Sequence, residues 1–223
     1  MSQQVAVSPD KVIRHRVGHH WPHVELELSG AKLGFWIFLC TELLMFGGLF
    51  VAYTYFRSLY PETFSEAHKT LSIPLGTLNT GVLIVSSFTV VMAIRSAMLN
   101  QRKAMLGYLY ATLLLAAAFM VIKLGFEWPP KFAKGTLPAA FYTYDGLAHV
   151  PKPHLFYGLY FVMTGLHGLH VVIGMGLISW LIYLGHKGVL YRGYYTPIEI
   201  VGLYWHFVDL IWIYLFPLFY LAG

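Results

Sequence analysis

Five apolar runs occupy most of this sequence, and they limit what the chain can fold into. They extend from about Leu33 to Phe56, Ile73 to Ile94, Ala104 to Phe126, Leu155 to Leu184 and Ile198 to Leu221. A hydrocarbon core roughly 30 Å thick takes about 20 helical residues to cross, and every run is that long. Strands of a membrane barrel alternate polar and apolar residues over about ten positions, which these runs do not. Lipid offers the backbone no hydrogen-bond partners, so each run has to satisfy itself as a helix. The expected fold is all-α, an integral membrane bundle of five transmembrane helices. Only 11% of residues are charged against 57% hydrophobic, where a soluble domain has about 25% charged. That excludes an ordinary cytosolic globule and a disordered region. The net charge of +5 is dispersed between apolar runs and forms no basic patch, so no nucleic-acid partner is expected. The one cysteine, Cys40, lies inside the first run and has no partner for a disulfide.

Five spans put the termini on opposite faces. The tail 1–32 and the linkers 95–103 and 185–196 share one face and hold nine Lys and Arg. The other face holds Arg57, Lys69, Lys131, Lys134 and Lys152. The positive-inside rule therefore puts the N-terminus in the cytoplasm and the C-terminus outside. Residues 1–30 read as a polar N-terminal tail without the apolar segment of a cleavable signal peptide, and 31–223 as the five-helix domain. The segment from Arg14 to His23 contains four histidines but implies no fixed ligand geometry. It reads as a solvated or interface-seeking arm, with Trp21 at headgroup depth. The long connection 127–154 contains Trp128-Pro129-Pro130, Pro138, Pro151 and Pro153. Because proline stops a helix and restricts the residue before it, this connection reads as an extracytoplasmic loop.

Ionisable groups at bilayer depth cost roughly 2.5–3.5 kcal/mol on insertion scales, so they need partners or a purpose. Glu42 interrupts the first run and reads equally as a proton-responsive carboxyl or as a protonated, hydrogen-bonded acid that locks helices. His206 and Asp209 in the fifth run, and His167 and His170 in the fourth, are pairs three apart that share a helix face. The simplest arrangement is a polar seam between those two helices made by all four residues. Gly158, Gly165, Gly168, Gly174 and Gly176 would let a neighbouring helix come close. Haem or metal ligation would need a matching histidine pair on a facing helix, and the fifth run supplies only His206. No metal site is therefore assigned. Lys123, near the end of the third run, reads as snorkelling to the interface. No nucleophile elbow, phosphate loop or zinc-protease motif is present, and no catalytic residue is assigned.

The strings Leu166-His167-Gly168-Leu169-His170-Val171-Val172-Ile173-Gly174 and Tyr204-Trp205-His206-Phe207-Val208-Asp209 together resemble subunit III of the haem-copper respiratory oxidases. Phe38-Leu39-Cys40-Thr41-Glu42, Leu78-Asn79-Thr80 and Phe126-Glu127-Trp128 extend the resemblance in collinear order over about residues 31–223. The length is similar to the family's short, five-helix form, which lacks the first two helices of the long form. Leu184 and His186-Lys187 stand where some members carry a lipid-binding arginine. The resemblance implies an accessory, non-redox subunit of a proton-pumping terminal oxidase in a bacterial cytoplasmic membrane. It would pack on subunit I, lie near subunit II and sustain proton uptake and stability. Haems and copper would sit in those partners and none in this chain. Phospholipid could be bound, and cytochrome c or quinol would be met only through the complex. Glu42 would be the family's membrane-embedded carboxyl, the kind modified by carbodiimides, with Glu127 and Asn79 as secondary site residues. The alternatives are subunit III of a quinol oxidase, a homologue associated with nitric oxide reductases and, from another class, an independent proton-coupled transporter.

Overall fold

The computed structural model describes residues 24–137, 141–190 and 194–221. The histidine-bearing segment from Arg14 to His23 lies outside them. Among the described residues there is no strand, and five helical segments are long and apolar enough to cross a membrane. In chain order the helices are α1 (Val24–Leu59), α2 (Pro61–His68), α3 (Ile73–Met98), α4 (Arg102–Val121), α5 (Trp128–Ala133), α6 (His154–Lys187) and α7 (Thr196–Phe216). Helix α1 begins at Val24, so the last residues of the polar tail form its opening turns.

Helices α3, α4, α6 and α7 close a ring in which each packs on the next and α7 returns to α3. Helix α1 leans on the outside of this ring against α6 and α7. Half of the apolar window of the α7 span is buried within the protein, against 6% for the α1 span. Helix α1 consequently offers Leu33, Trp36, Leu44 and Val51 outward, each more than half exposed. The ring closes tightly where glycine permits. A Cβ on Gly174 of α6 would come within 2.6 Å of the Trp205 ring of α7. Gly158 and Gly176 have open space beside them, so close approach uses only part of the α6 glycine series.

Two tight ends fix the register. Asn100 takes a positive φ of 58° between α3 and α4, a conformation asparagine tolerates better than most residues. Helix α6 stops at Gly188, φ 73°, whose N–H donates to the Gly185 carbonyl, while Val189 donates to Leu184. The Arg102 guanidinium then donates to the carbonyls of Gly185 and His186, placing a cation on the negative end of the helix dipole.

The third span runs longer than the prolines suggest. A π-helical turn, Ile122–Glu127, joins α4 to α5, and the span continues to Ala133. Pro129 and Pro130 fall in the first turn of α5, where amides have no partner within the helix and proline removes nothing. The connection read as a loop from 127 is helical for its first turns. Helix α2 was not evident in the sequence. It closes this end of the bundle, Thr63 Oγ1 donating to the Pro151 carbonyl at 2.6 Å and Phe64 packing edge-on to Tyr53 and Phe156.

Candidate functional site

Two polar groupings lie within the bundle. The larger surrounds Glu127, at the wide turn between α4 and α5. Lys123, Glu127 and Lys131 succeed one another at spacings of four, so one helical edge carries a cation, an anion and a cation. Lys123 Nζ lies 3.0 Å from Glu127 Oε2 and Lys131 Nζ 3.0 Å from Oε1. Tyr160 of α6 and Tyr220, beyond α7, complete the group. Tyr160 donates to Glu127 Oε1 at 2.5 Å, and Tyr220 donates to the same oxygen. Lys123 donates to both phenol oxygens, at 3.0 and 2.8 Å, and Lys131 to Tyr160 at 2.7 Å. Lys123 also lies 4.8 Å from the centre of the Trp212 ring, where the π face attracts a cation. Lys123 does not snorkel: it is 2% exposed, because a carboxylate and two phenols within the bundle replace the water it would otherwise seek.

The second grouping involves the residues singled out in the first, fourth and fifth runs. His170 Nδ1 is 2.7 Å from the Leu166 carbonyl, and Nε2 is 3.0 Å from Glu42 Oε2. A carbonyl only accepts, so Nδ1 carries a hydrogen and donates it. In a neutral ring Nε2 is then a bare acceptor. The contact with Glu42 therefore holds one proton, either on the carboxyl or as an imidazolium facing a carboxylate. Glu42 keeps 16% of its side chain exposed on the outer flank of the ring.

The fourth and fifth helices do not make a closed seam of four residues. His170 turns to Glu42 on α1, and His206 Nδ1 lies 2.6 Å from Ser87 Oγ on α3. Asp209 is buried with neither carboxyl oxygen hydrogen-bonded; Ser87 stands beside it but is engaged by His206. His167 is buried without a hydrogen bond, its ring edge-on to Phe119 and 5.2 Å from Trp212. The one polar link between α6 and α7 at this level is Tyr204 Oη donating to the His170 carbonyl at 3.1 Å. Asn79 is fully buried, and its side-chain amide has no partner among the described residues. No group of three His, Cys, Asp or Glu is placed to hold a metal ion among the described residues.

Lys131, Tyr160 and Tyr220 were missed in the sequence. The four-residue spacing of Lys123, Glu127 and Lys131 was a legible signal, hidden by taking Trp128-Pro129-Pro130 as a helix end. The tyrosines come from 37 and 97 residues beyond Lys123, and only the packed bundle brings them in.

A family model described as cytochrome c oxidase subunit III matches residues 10–223. The chain belongs to this family. It is 34% identical over 191 residues to cytochrome c oxidase subunit 3 of Thermostichus vulcanus, covering 85% of this chain and 86% of that one. It is 32% identical over 216 residues to the Bos taurus cytochrome c oxidase subunit 3, covering 92% of this chain and 74% of the longer bovine protein. A probable quinol oxidase subunit 3 of Staphylococcus haemolyticus is 31% identical over 194 residues, covering 86% and 89%. Like those relatives, this member of the subunit III family is a multi-pass membrane protein by the length and composition of its helices.

Proposed function

We propose that the chain is the accessory, non-redox subunit III of a haem-copper terminal oxidase in a bacterial cytoplasmic membrane, with its N-terminus inside. It packs on subunit I, lies close to subunit II and sustains proton uptake and the stability of the complex. The observation that carries this reading is the family match from residue 10 to 223, which runs through all five spans. The exposed flank of α1 supports it, because long apolar helix faces at bilayer depth suit both lipid and a partner subunit. The charge bias between the two faces supports the orientation.

The residues themselves define a modest chemistry. Glu42 and His170 share one proton on a flank of the bundle. A carboxyl and an imidazole can pass that proton between them without moving the backbone. Glu42 is thus a proton-exchanging carboxyl at bilayer depth, and no dioxygen chemistry is assigned to this chain. Electrons from cytochrome c reach the haems and copper through the partner subunits. A quinol donor is the second reading, favoured by the quinol oxidase relative.

The deciding experiment is purification of the tagged chain in mild detergent, followed by an optical spectrum and peptide identification of what accompanies it. Haem absorbance with a large multi-helix partner is the expected result. A colourless, solitary protein would overturn the reading in favour of an independent transporter. A dinuclear copper motif in the second partner would then separate cytochrome c from quinol as donor.

A further inference from the structure

The cluster around Glu127 is electrically unbalanced. It holds two ammonium groups to one carboxylate, all three nearly excluded from solvent. Lys123 has committed its three donors, to Glu127, Tyr160 and Tyr220. Lys131 has committed two, to Glu127 and Tyr160, and an ammonium has three. One donor and one surplus positive charge are left, and Lys131 lines a cavity of about 480 Å³ at this end of the bundle. Lys69 and Lys134 stand on the same cavity, with Thr136 and Tyr157 between them. Glu127 is its only acidic lining residue, and its carboxylate is already surrounded by donors.

A buried charge without a counter-ion is costly, and a cavity of this size and mixed lining falls in the range of ligand sites. We propose that it binds a phosphate monoanion, supplied by the headgroup of an anionic phospholipid. The source follows from the walls. Leu75, Phe126 and Pro130 complete the lining, and Phe126 is 63% exposed. From there the outward surface continues down the spans through Leu78 and Leu124, both about half exposed. A lipid places its phosphate on Lys131 and Lys134 at the span end and its acyl chain along that apolar strip. A free phosphate would leave the strip uncovered. The site shares no residue with the Glu42–His170 pair and does not depend on which complex the chain joins.

The test is native mass spectrometry of the purified full chain, with whatever subunits accompany it, after delipidation. Phosphatidylglycerol, phosphatidylcholine and inorganic phosphate are added back separately. Phosphatidylglycerol should bind in preference to phosphatidylcholine. Lys134→Gln and Lys69→Gln, both outside the buried cluster, should each weaken that binding about fivefold, the worth of one lysine near an anionic headgroup. Lys131→Gln should abolish the preference, and because it also touches the core, the two surface variants carry the test if it fails to fold. Equal binding of the two lipids, or no response to Lys134→Gln in a folded chain, overturns the proposal. Displacement of the lipid by millimolar inorganic phosphate overturns the lipid as the source. A photocrosslinker at position 134 that captures a protein segment instead of lipid overturns it as well.

Discussion

Glu127 and Glu42 are both carboxyl groups at membrane depth, yet they stand in opposite surroundings. Glu127 is gripped by two lysines and two tyrosines and keeps 1% of its side chain exposed. Glu42 has one histidine and keeps 16%. The first sits inside the α3–α4–α6–α7 ring, the second on the helix that leans against it. A carboxylate with every lone pair engaged between two cations has no vacancy for a proton and serves to hold elements together. A carboxyl with one imidazole partner on an open flank can give its proton up and take it back. The insertion penalty that makes both residues conspicuous is offset in one case by a network and in the other by a shared proton, and only the second leaves chemistry available.

The sharpest way to break this contrast is Glu127→Gln, which leaves two ammonium groups facing each other in the core. It should destabilise the chain by about 3–5 kcal/mol, read as a lower thermal midpoint or loss of folded protein in detergent. Glu42→Gln should cost about 1 kcal/mol, since the glutamine amide can still donate to His170 Nε2. A hydrophobic carbodiimide should label Glu42 and spare Glu127, as peptide mapping would reveal; labelling of Glu127 would end the distinction. Packing sharpens the same comparison between ring and outer helix. Gly174→Ala forces a methyl to 2.6 Å from the Trp205 ring and should cost about 1–3 kcal/mol. Gly48→Ala on α1, with nothing within 4 Å, should be neutral or add up to about 1 kcal/mol of helix propensity in the isolated chain. If it instead weakens an assembled complex, a partner packs there. Tyr53→Phe removes the 2.7 Å hydrogen bond that ties α1 to the Leu218 carbonyl and should cost about 1 kcal/mol.

The smallest effect belongs to an ion pair in water, Lys69–Glu66 at 2.8 Å. Its hydrogen bond to Lys69 holds the Glu66 carboxyl below the ordinary value of 4.5. Because the folded value is the lower one, the stabilisation is present above that ordinary value and lost as pH falls through the folded one. Comparing thermal midpoints of Lys69→Ala and the parent down a pH series should show a gap that closes in acid.

The five spans were legible because twenty apolar residues in a row have one physical solution, and Glu42 was legible because it interrupts such a row. The partners of the polar groups were not. His206 could be placed on the Asp209 face by spacing, but its hydrogen bond goes to Ser87, 119 residues earlier, and periodicity carries no information about which helices become neighbours. Lys123 was misjudged for a related reason. A long flexible cation near a span end does snorkel when water is the best partner within reach, and here Glu127, Tyr160 and Tyr220 are nearer. The Trp128-Pro129-Pro130 string was misread because proline opposes a helix interior and suits its first turn equally well.

The wide turn at Ile122–Glu127 makes the chain's length there as binding as its chemistry. A π turn holds one residue more than an ordinary helical turn. Deleting any one residue between Ile122 and Gly125 would let α4 run on as regular helix, swinging everything after it by about 100°. Lys131 would then leave the cavity and the carboxylate at once, although no side chain of the cluster had been altered. Over these few positions the molecule should accept many changes of letter and no change of count.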